Sequence, residues 1–238
     1  MNKKQKYLGI NQRIPFEVLD AAVHSYLLGL TVERAVISQQ MREFTSGENR
    51  IRKATDYTVQ IIKRQLRLLD FLKYALKETE YNSLNLAERK VVCLCLIGLT
   101  YPIAYDLLTA LGQGFKVQTD INRKFINEKV MSIYGSNRTV DIAIDALIPM
   151  LIELNTIKRE KVGIYSIGTK LFSRIHFISE LIIYTDIKLS SSKSILLSDL
   201  NHRPWYSYFE FVSISELKFG HLITKKDSNI GEGYLTIK

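Results

Sequence analysis

The residues of this chain whose types and spacing could do chemistry are cations rather than nucleophiles. Lys53, Lys63, Arg64 and Arg67 fall within about a third of the circumference of a helix at 3.6 residues per turn, and Phe71 lies close to them. A basic stripe beside an aromatic suits contact with phosphates, which gains from the release of condensed counterions. The structural alternative is a solvated helix face, and the interspersed Asp56 and Asp70 fit that reading equally well. Further on, Arg123 and Lys124 lie off the apolar side of a second helical stretch. Lys158, Arg159 and Lys161 then crowd a short charged segment that reads as a β-hairpin up to Tyr165. These nine residues are the candidate nucleic-acid ligands.

Other chemistries are less well provided for. There is no P-loop, no dinucleotide-binding glycine pattern and no Gly-x-Ser-x-Gly elbow. The four histidines, His24, His176, His202 and His221, are scattered and show no metal-ligand spacing. Asp141 and Asp145 sit one helical turn apart and could face one ion, but no third ligand accompanies them. His202-Arg203-Pro204-Trp205 gathers a titratable ring, a cation and an aromatic; it could bind a ligand, although a structural turn is the commoner use of such a cluster. The expectation is a non-enzymatic protein with no metal and no cofactor.

The elements that must hold the cations are mostly helical. The chain has 238 residues, 46% of them hydrophobic and 24% charged, with only four prolines and twelve glycines. That composition is globular and argues against a long disordered region. Its net charge of +9 favours an anionic partner. The excess is concentrated in residues 1–80, where 14 Lys and Arg against 9 Asp and Glu give 14 − 9 = +5. Cys93 and Cys95 lie in an apolar run, as small hydrophobes do, which is the pattern of a reducing cytoplasm. No signal peptide is visible after the polar start. Val91–Tyr105 carries no charge but is only 15 residues long and contains Gly98 and Pro102. A membrane span needs roughly 20 apolar residues, so two buried helices meeting at Tyr101–Pro102 are expected.

In chain order, a basic arm over residues 1–13 precedes an amphipathic helix from Pro15, a second helix capped by Thr31, and a long helical pattern from Asn49 toward Lys77. Leu86–Thr100 and Tyr101–Leu111 follow, with Gly112-Gln113-Gly114 as a break, then Ile121–Tyr134 capped by Thr119 or Asp120. Arg138–Asn155 is apolar on almost every side, so it is expected at the centre of the fold, capped by Ser136 or Asn137 and kinked or changed near Pro149. Helices followed by a small basic hairpin are the pattern of a winged-helix module, although this helix exposes too few polar groups to read bases. Residues 166–238 read as a smaller α+β part, with a helix over Phe172–Ile187, a β-prone aromatic run from Trp205 to Val212, and a hairpin pairing 221–224 with 234–237. The domain division is therefore 1–165 and 166–238.

Ala87-Glu88-Arg89-Lys90, Thr100-Tyr101-Pro102, Asp106-Leu107-Leu108 and Phe125-Ile126-Asn127-Glu128-Lys129 together resemble the BrxA family of BREX phage-defence systems. The likeness covers residues 16–165. Thr100 stands where the family often has an arginine before the Tyr-Pro step. The resemblance implies a compact helical fold similar to the antitermination factor NusB, with winged-helix-like character. It also implies binding of double-stranded DNA without catalysis, beside other BREX proteins. Some members of that family have been labelled inner-membrane proteins; the residues of this chain give no support for a membrane location. The alternative expectation is a scaffold subunit that uses the aromatic C-terminal third, with Trp205, Tyr206, Tyr208 and Phe209 at an interface.

Overall fold

Asn85 starts the central helix by a reciprocal cap. Its side chain accepts from the Glu88 N–H at 2.9 Å, and the Glu88 carboxylate accepts from the Asn85 N–H at 3.0 Å, so two of the helix's orphan donors are satisfied at once. In this computed structural model, which describes residues 8–76, 81–211, 216–227 and 233–238, that cap opens helix α5 (Leu86–Thr100). Eleven of its fifteen residues are buried. Around it pack α1 (Phe16–Leu27), α3 (Glu48–Arg64), α6 (Pro102–Phe115) and α9 (His176–Leu189). The centre is therefore α5 rather than the Arg138–Asn155 stretch. That stretch is α8 (Arg138–Glu153), and it buries only eight of sixteen residues, leaving Ile142 and Asp145 on an exposed side. The sequence overstated its burial because Ile142 is exposed and Ile152 half-buried, although both count toward the apolar circle.

The chain is mainly α, with nine helices and three small sheets among the described residues. Helices α2 (Arg34–Met41) and α4 (Leu66–Ala75) complete the first half. The long pattern from Asn49 is two helices, not one. At Gln65 the backbone leaves helical geometry, and its side chain turns inward to donate to Thr100 Oγ1 at 3.2 Å. Lys77, the expected end of that pattern, lies outside the described residues, as do residues 1–7 of the basic arm. Glu33, not Thr31, stands at the N-cap of α2. Gly112 and Gly114 do not interrupt α6, because they serve close approach. A Cβ on Gly112 would lie 2.5 Å from the Pro204 carbonyl oxygen, and one on Gly114 would lie 2.5 Å from Ile121 Cδ1.

After α6 come β1 (Asp120–Asn122), α7 (Arg123–Tyr134), α8, β2 (Ile157–Lys161) and β3 (Ile164–Ile167), with sheet order β1-β3-β2, all antiparallel. Asn122 caps α7 by accepting from the Phe125 N–H at 2.8 Å, and Asn137 caps α8 by accepting from the Val140 N–H at 3.2 Å. Helix α8 runs through Pro149 without ending. In the remainder, β4 (Leu171–Phe172) pairs in parallel with β6 (Phe209–Glu210). Strands β5 (Ser194–Leu196), β8 (Tyr234–Ile237) and β7 (Ile223–Lys226) form a third antiparallel sheet. Residues 228–232 between β7 and β8 lie outside the described residues. Of the aromatic run expected as a strand, Trp205–Tyr208 belongs to a 3-10 turn over Pro204–Tyr208, Phe209–Glu210 is β6, and Val212 lies outside the described residues. Helix α9 packs on α5 and that turn packs on α6, so the C-terminal residues share one continuous apolar core with the first half.

No single helix among the described residues is long and apolar enough to cross a membrane. Helices α5 and α6 together reach the length, but they bend by 113° at Tyr101. Cys93 and Cys95 are fully buried. Burial pushes the Cys95 thiol up to about 12, and pushes Cys93 well above the usual thiol range, with the Asp20 carboxylate adding to it. Since the thiolate is the reactive form, a thiol-reactive chromophore at pH 8 should label neither cysteine in the native protein and both after denaturation.

Glu153, near the end of α8, gives a second prediction. Burial holds its carboxyl above the usual carboxylate range, although Arg13 Nη2 at 3.1 Å works against the shift. A carboxyl raised in the folded state contributes stability below its unfolded value, and that stability is lost as pH rises through the folded value. Glu153→Gln should therefore raise the melting temperature at pH 8. The gain should vanish below about pH 4, where the unfolded carboxyl is itself protonated. A lower melting temperature at pH 8 would show that the Arg13 pair outweighs burial.

Candidate nucleic-acid interface

The nine cations fall into two groups carried by elements that do not pack on each other. The first group lies on α3 and the start of α4. The buried side of α3 consists of Ile51, Ala54, Thr55, Thr58, Ile61 and Ile62, so helical periodicity turns Lys53, Asp56, Gln60, Lys63 and Arg64 to the opposite side. Lys63, Arg64 and Arg67 are exposed and Lys53 is half-buried. The break at Gln65 places Arg67 on a separate helix, so the four are not one straight stripe. Asp56 is taken by Arg34, and Asp70 accepts from the Tyr26 hydroxyl at 2.7 Å. Arg64 is held by a neutral partner, since with the Gln60 amide oxygen turned toward it, its guanidinium donates at 2.7 and 3.2 Å while Gln60 donates to the Tyr101 hydroxyl at 2.9 Å. Gln60 thereby orients the guanidinium. Thr100, buried beside this joint, accepts from Gln65 instead of supplying a cation.

The second group surrounds the β2–β3 hairpin. Ile157 anchors β2 in the core, and the next four residues, Lys158, Arg159, Glu160 and Lys161, are all exposed on an edge strand. Gly163, at φ 74°, makes the turn, and Val162 at the tip is 96% exposed. Lys158 stands opposite Ser166, Arg159 opposite Tyr165, and Lys161 opposite Ile164, with a bulge between Arg159 and Lys161. The Arg159 guanidinium lies 5.9 Å from the Tyr165 ring centroid, and Glu160 accepts from the Ser166 hydroxyl. Charges on an edge strand also discourage pairing with another sheet. Among the described residues, no ion pair engages Lys53, Lys63, Arg67, Lys158, Arg159 or Lys161.

Arg123 and Lys124 differ from the rest. The Arg123 N–H donates to the Gly163 carbonyl at 2.8 Å, and its guanidinium lies 2.9 Å from Asp145 and 3.4 Å from the Asp141 carbonyl. It therefore ties the hairpin tip to α8, with its charge offset by Asp145. Lys124 is exposed and pairs loosely with Glu128, 3.9 Å away on the next turn. Asp141 accepts from the Asn127 amide at 3.0 Å. The two aspartates thus have fixed protein partners, and no cluster of three or more metal-ligating side chains occurs among the described residues.

Strand β1 is the part of this site that sequence reasoning missed. Ile121 pairs with Tyr165 and Asn122 with Ile164, so β1 sets the start of α7 against the hairpin. Three residues leading straight into a helix carry too little alternation to read as a strand, and only the polar Asp120 and Asn122 flanking a buried Ile121 hint at it. The aromatic interface expected in the C-terminal third is not on the surface. Trp205, Tyr206, Tyr208 and Phe209 are all buried, with the Trp205 indole donating to the Ile182 carbonyl and the Tyr208 hydroxyl to that of Leu108.

No family model matches this chain, and no curated protein or solved structure matches it.

Proposed function

We propose that this protein binds double-stranded DNA through its phosphates and acts, without catalysis, as an accessory of a BREX-type phage-defence system, beside other BREX proteins. The observation that carries the reading is the hairpin. Three cations against one acid, 3 − 1 = +2 over residues 158–161, stand exposed on an edge strand with no acidic partner among the described residues. The order α6-β1-α7-α8-β2-β3, with sheet order β1-β3-β2, supports a winged-helix-like arrangement in which the β2–β3 hairpin is the wing. The helices around α5 support the NusB-like part of the resemblance. Helix α8 occupies the place of a recognition helix, but its exposed side offers Asp141, Ile142 and Asp145, and carboxylates are repelled by the DNA backbone. Base readout from α8 is therefore disfavoured. The wing, with Lys124 beside it, makes the first contact. Lys63, Arg64 and Arg67, with Lys53 behind them, make a second on a separate surface.

Phosphate contacts position a protein but carry no sequence information. The expected behaviour is binding that differs little between unrelated duplexes and weakens steeply with salt. Gel-shift titration of two unrelated 30-base-pair duplexes at 50 and 200 mM salt tests this. Absence of any shift at 50 mM would remove the DNA reading and leave the architecture alone.

A further inference from the structure

One exposed side chain of the β2–β3 hairpin is the wrong type for its place. Val162 is the most exposed large apolar side chain among the described residues, at 96%. It occupies the first of the two turn positions between β2 and β3. Turns favour Gly, Pro, Asn, Asp and Ser, whereas a β-branched residue fits a half-buried strand. Gly163, at φ 74°, already meets the demand of the backbone there. Nothing in the fold asks for an isopropyl group at the tip, and a local rule broken in this way is expected where function sets the residue. Val117 is the next most exposed, at 87%, but the amine of its neighbour Lys116 is taken by the His202 carbonyl. Val162 instead follows Lys158, Arg159 and Lys161, which no ion pair engages among the described residues.

The tip is also held stiffly. The Arg123 N–H donates to the Gly163 carbonyl at 2.8 Å, and Asp145, 2.9 Å from the Arg123 guanidinium, anchors that residue in turn. Farther from the tip, Ile157 and Tyr165 are buried, and β1 pairs along the other side of β3. The one acid of β2, Glu160, is turned to the Ser166 hydroxyl, away from the tip. Val162 thus projects from a braced ribbon with cations behind it.

Dimensions select the groove that such a tip suits. Paired strands lie about 4.8 Å apart. The minor groove of B-form DNA is about 6 Å wide, and the major groove about 12 Å. The narrow turn fits the first and would sit loosely in the second. An isopropyl group neither gives nor accepts a hydrogen bond, so it gains by leaving water against the bases. Apolar side chains that enter the minor groove unstack a base step and bend the duplex toward the major groove. Resting on the reading that the hairpin binds duplex DNA, we propose that Val162 is an apolar wedge that enters the minor groove and bends the duplex. The protein therefore takes distorted DNA in preference to intact DNA of the same sequence. Lys158, Arg159 and Lys161 hold phosphates beside the bend.

Two measurements on the full chain test this. In gel-shift titration at low salt, a duplex of roughly 30 base pairs with a short central gap should bind about tenfold tighter than the intact duplex, because the gap lowers the cost of bending. In ligation of a linear fragment of about 100 base pairs, shorter than the roughly 150-base-pair persistence length of DNA, the protein should raise the yield of closed circles. Val162→Ser leaves every cation in place, so its affinity for intact duplex should change by less than about threefold. The gap preference and the circles should both be lost. Val162→Ile keeps an apolar tip and should retain both. The side chain is exposed, and an unchanged melting temperature establishes that each variant is folded. Binding without a gap preference, or without circles, would overturn the wedge and leave the DNA reading standing. So would a gap preference and circles undiminished in Val162→Ser, or lost equally in Val162→Ile. Failure of the unaltered chain to bind either duplex would overturn both.

Discussion

Reversing the hairpin cations together, Lys158→Glu, Arg159→Glu and Lys161→Glu, is expected to weaken duplex-DNA binding by more than about 100-fold at 50 mM salt. Each neutralised phosphate contributes about −0.9 to the log–log salt slope. Three contacts therefore account for a slope of about −2.7, or about 40-fold between 50 and 200 mM. Reversal adds repulsion to that loss, and the variant should titrate with a slope shallower by about three. The three side chains are exposed, and among the described residues the interaction broken is the Arg159–Tyr165 ring contact, so the melting temperature should change by no more than a few degrees. The matching change on the other surface, Lys63→Glu, Arg64→Glu and Arg67→Glu, should weaken binding by only about tenfold, as expected for a contact made by fewer phosphates. There the Gln65 break separates Arg67 from the other two, and Gln60 already engages Arg64. Gel-shift titrations of the two triple variants decide the ranking. Unchanged affinity in the hairpin variant would remove the wing from the interface, and a larger loss from the α3–α4 variant would reverse the order of the two surfaces.

How much of this was legible in the sequence depended on the range over which each signal acts. Local signals read well. Asn137 caps α8, and α5 runs over Leu86–Thr100 as its apolar run and capping residues require. The Lys158–Tyr165 hairpin forms, and 234–237 finds its expected antiparallel partner segment, although the strand is 223–226 and not 221–224. Signals that depend on a distant partner read badly. Gly112 and Gly114 look like a break, yet each is where another segment, Pro204 or Ile121, approaches the helix. Gln65 looks like a mid-helix residue, yet Thr100, 35 positions away, draws it inward. Arg123 looks like a phosphate ligand until Asp145 is placed 2.9 Å from it. Trp205 and its neighbours look like an interface, although they are buried and the polar atoms of Trp205 and Tyr208 find carbonyl partners inside the core. In each case the composition was read correctly and the partner was missing.

Glu180→Ala is expected to cost more stability than any other single substitution considered for this chain. Glu180 lies in the second turn of α9 and is 1% exposed. It has no cation partner among the described residues. Its carboxylate instead accepts from three successive backbone N–H groups, those of His221 at 3.1 Å, Leu222 at 2.6 Å and Ile223 at 3.1 Å. Those groups lead into β7, so one side chain fixes where the third sheet meets the core. Leu222 and Ile223 are themselves buried, and no water would reach their N–H groups if the carboxylate were removed. An unsatisfied buried donor costs about 1–3 kcal/mol. Two of them, with the cavity left by the side chain, make a loss of about 3–5 kcal/mol reasonable. At about 2–4 °C per kcal/mol for a chain of this length, the melting temperature should fall by roughly 10 °C. All three bonds go to Oε2, and Oε1 meets only the His221 N–H, at 3.3 Å, so Glu180→Gln can keep them on its carbonyl oxygen, losing the charge but not the acceptor, and should recover more than half of the loss. Thermal denaturation of both variants provides the measurement. A fall of less than about 3 °C in the alanine variant, roughly the effect of a single kcal/mol, would mean that the β7 backbone finds other partners and that Glu180 does not hold the third sheet in place.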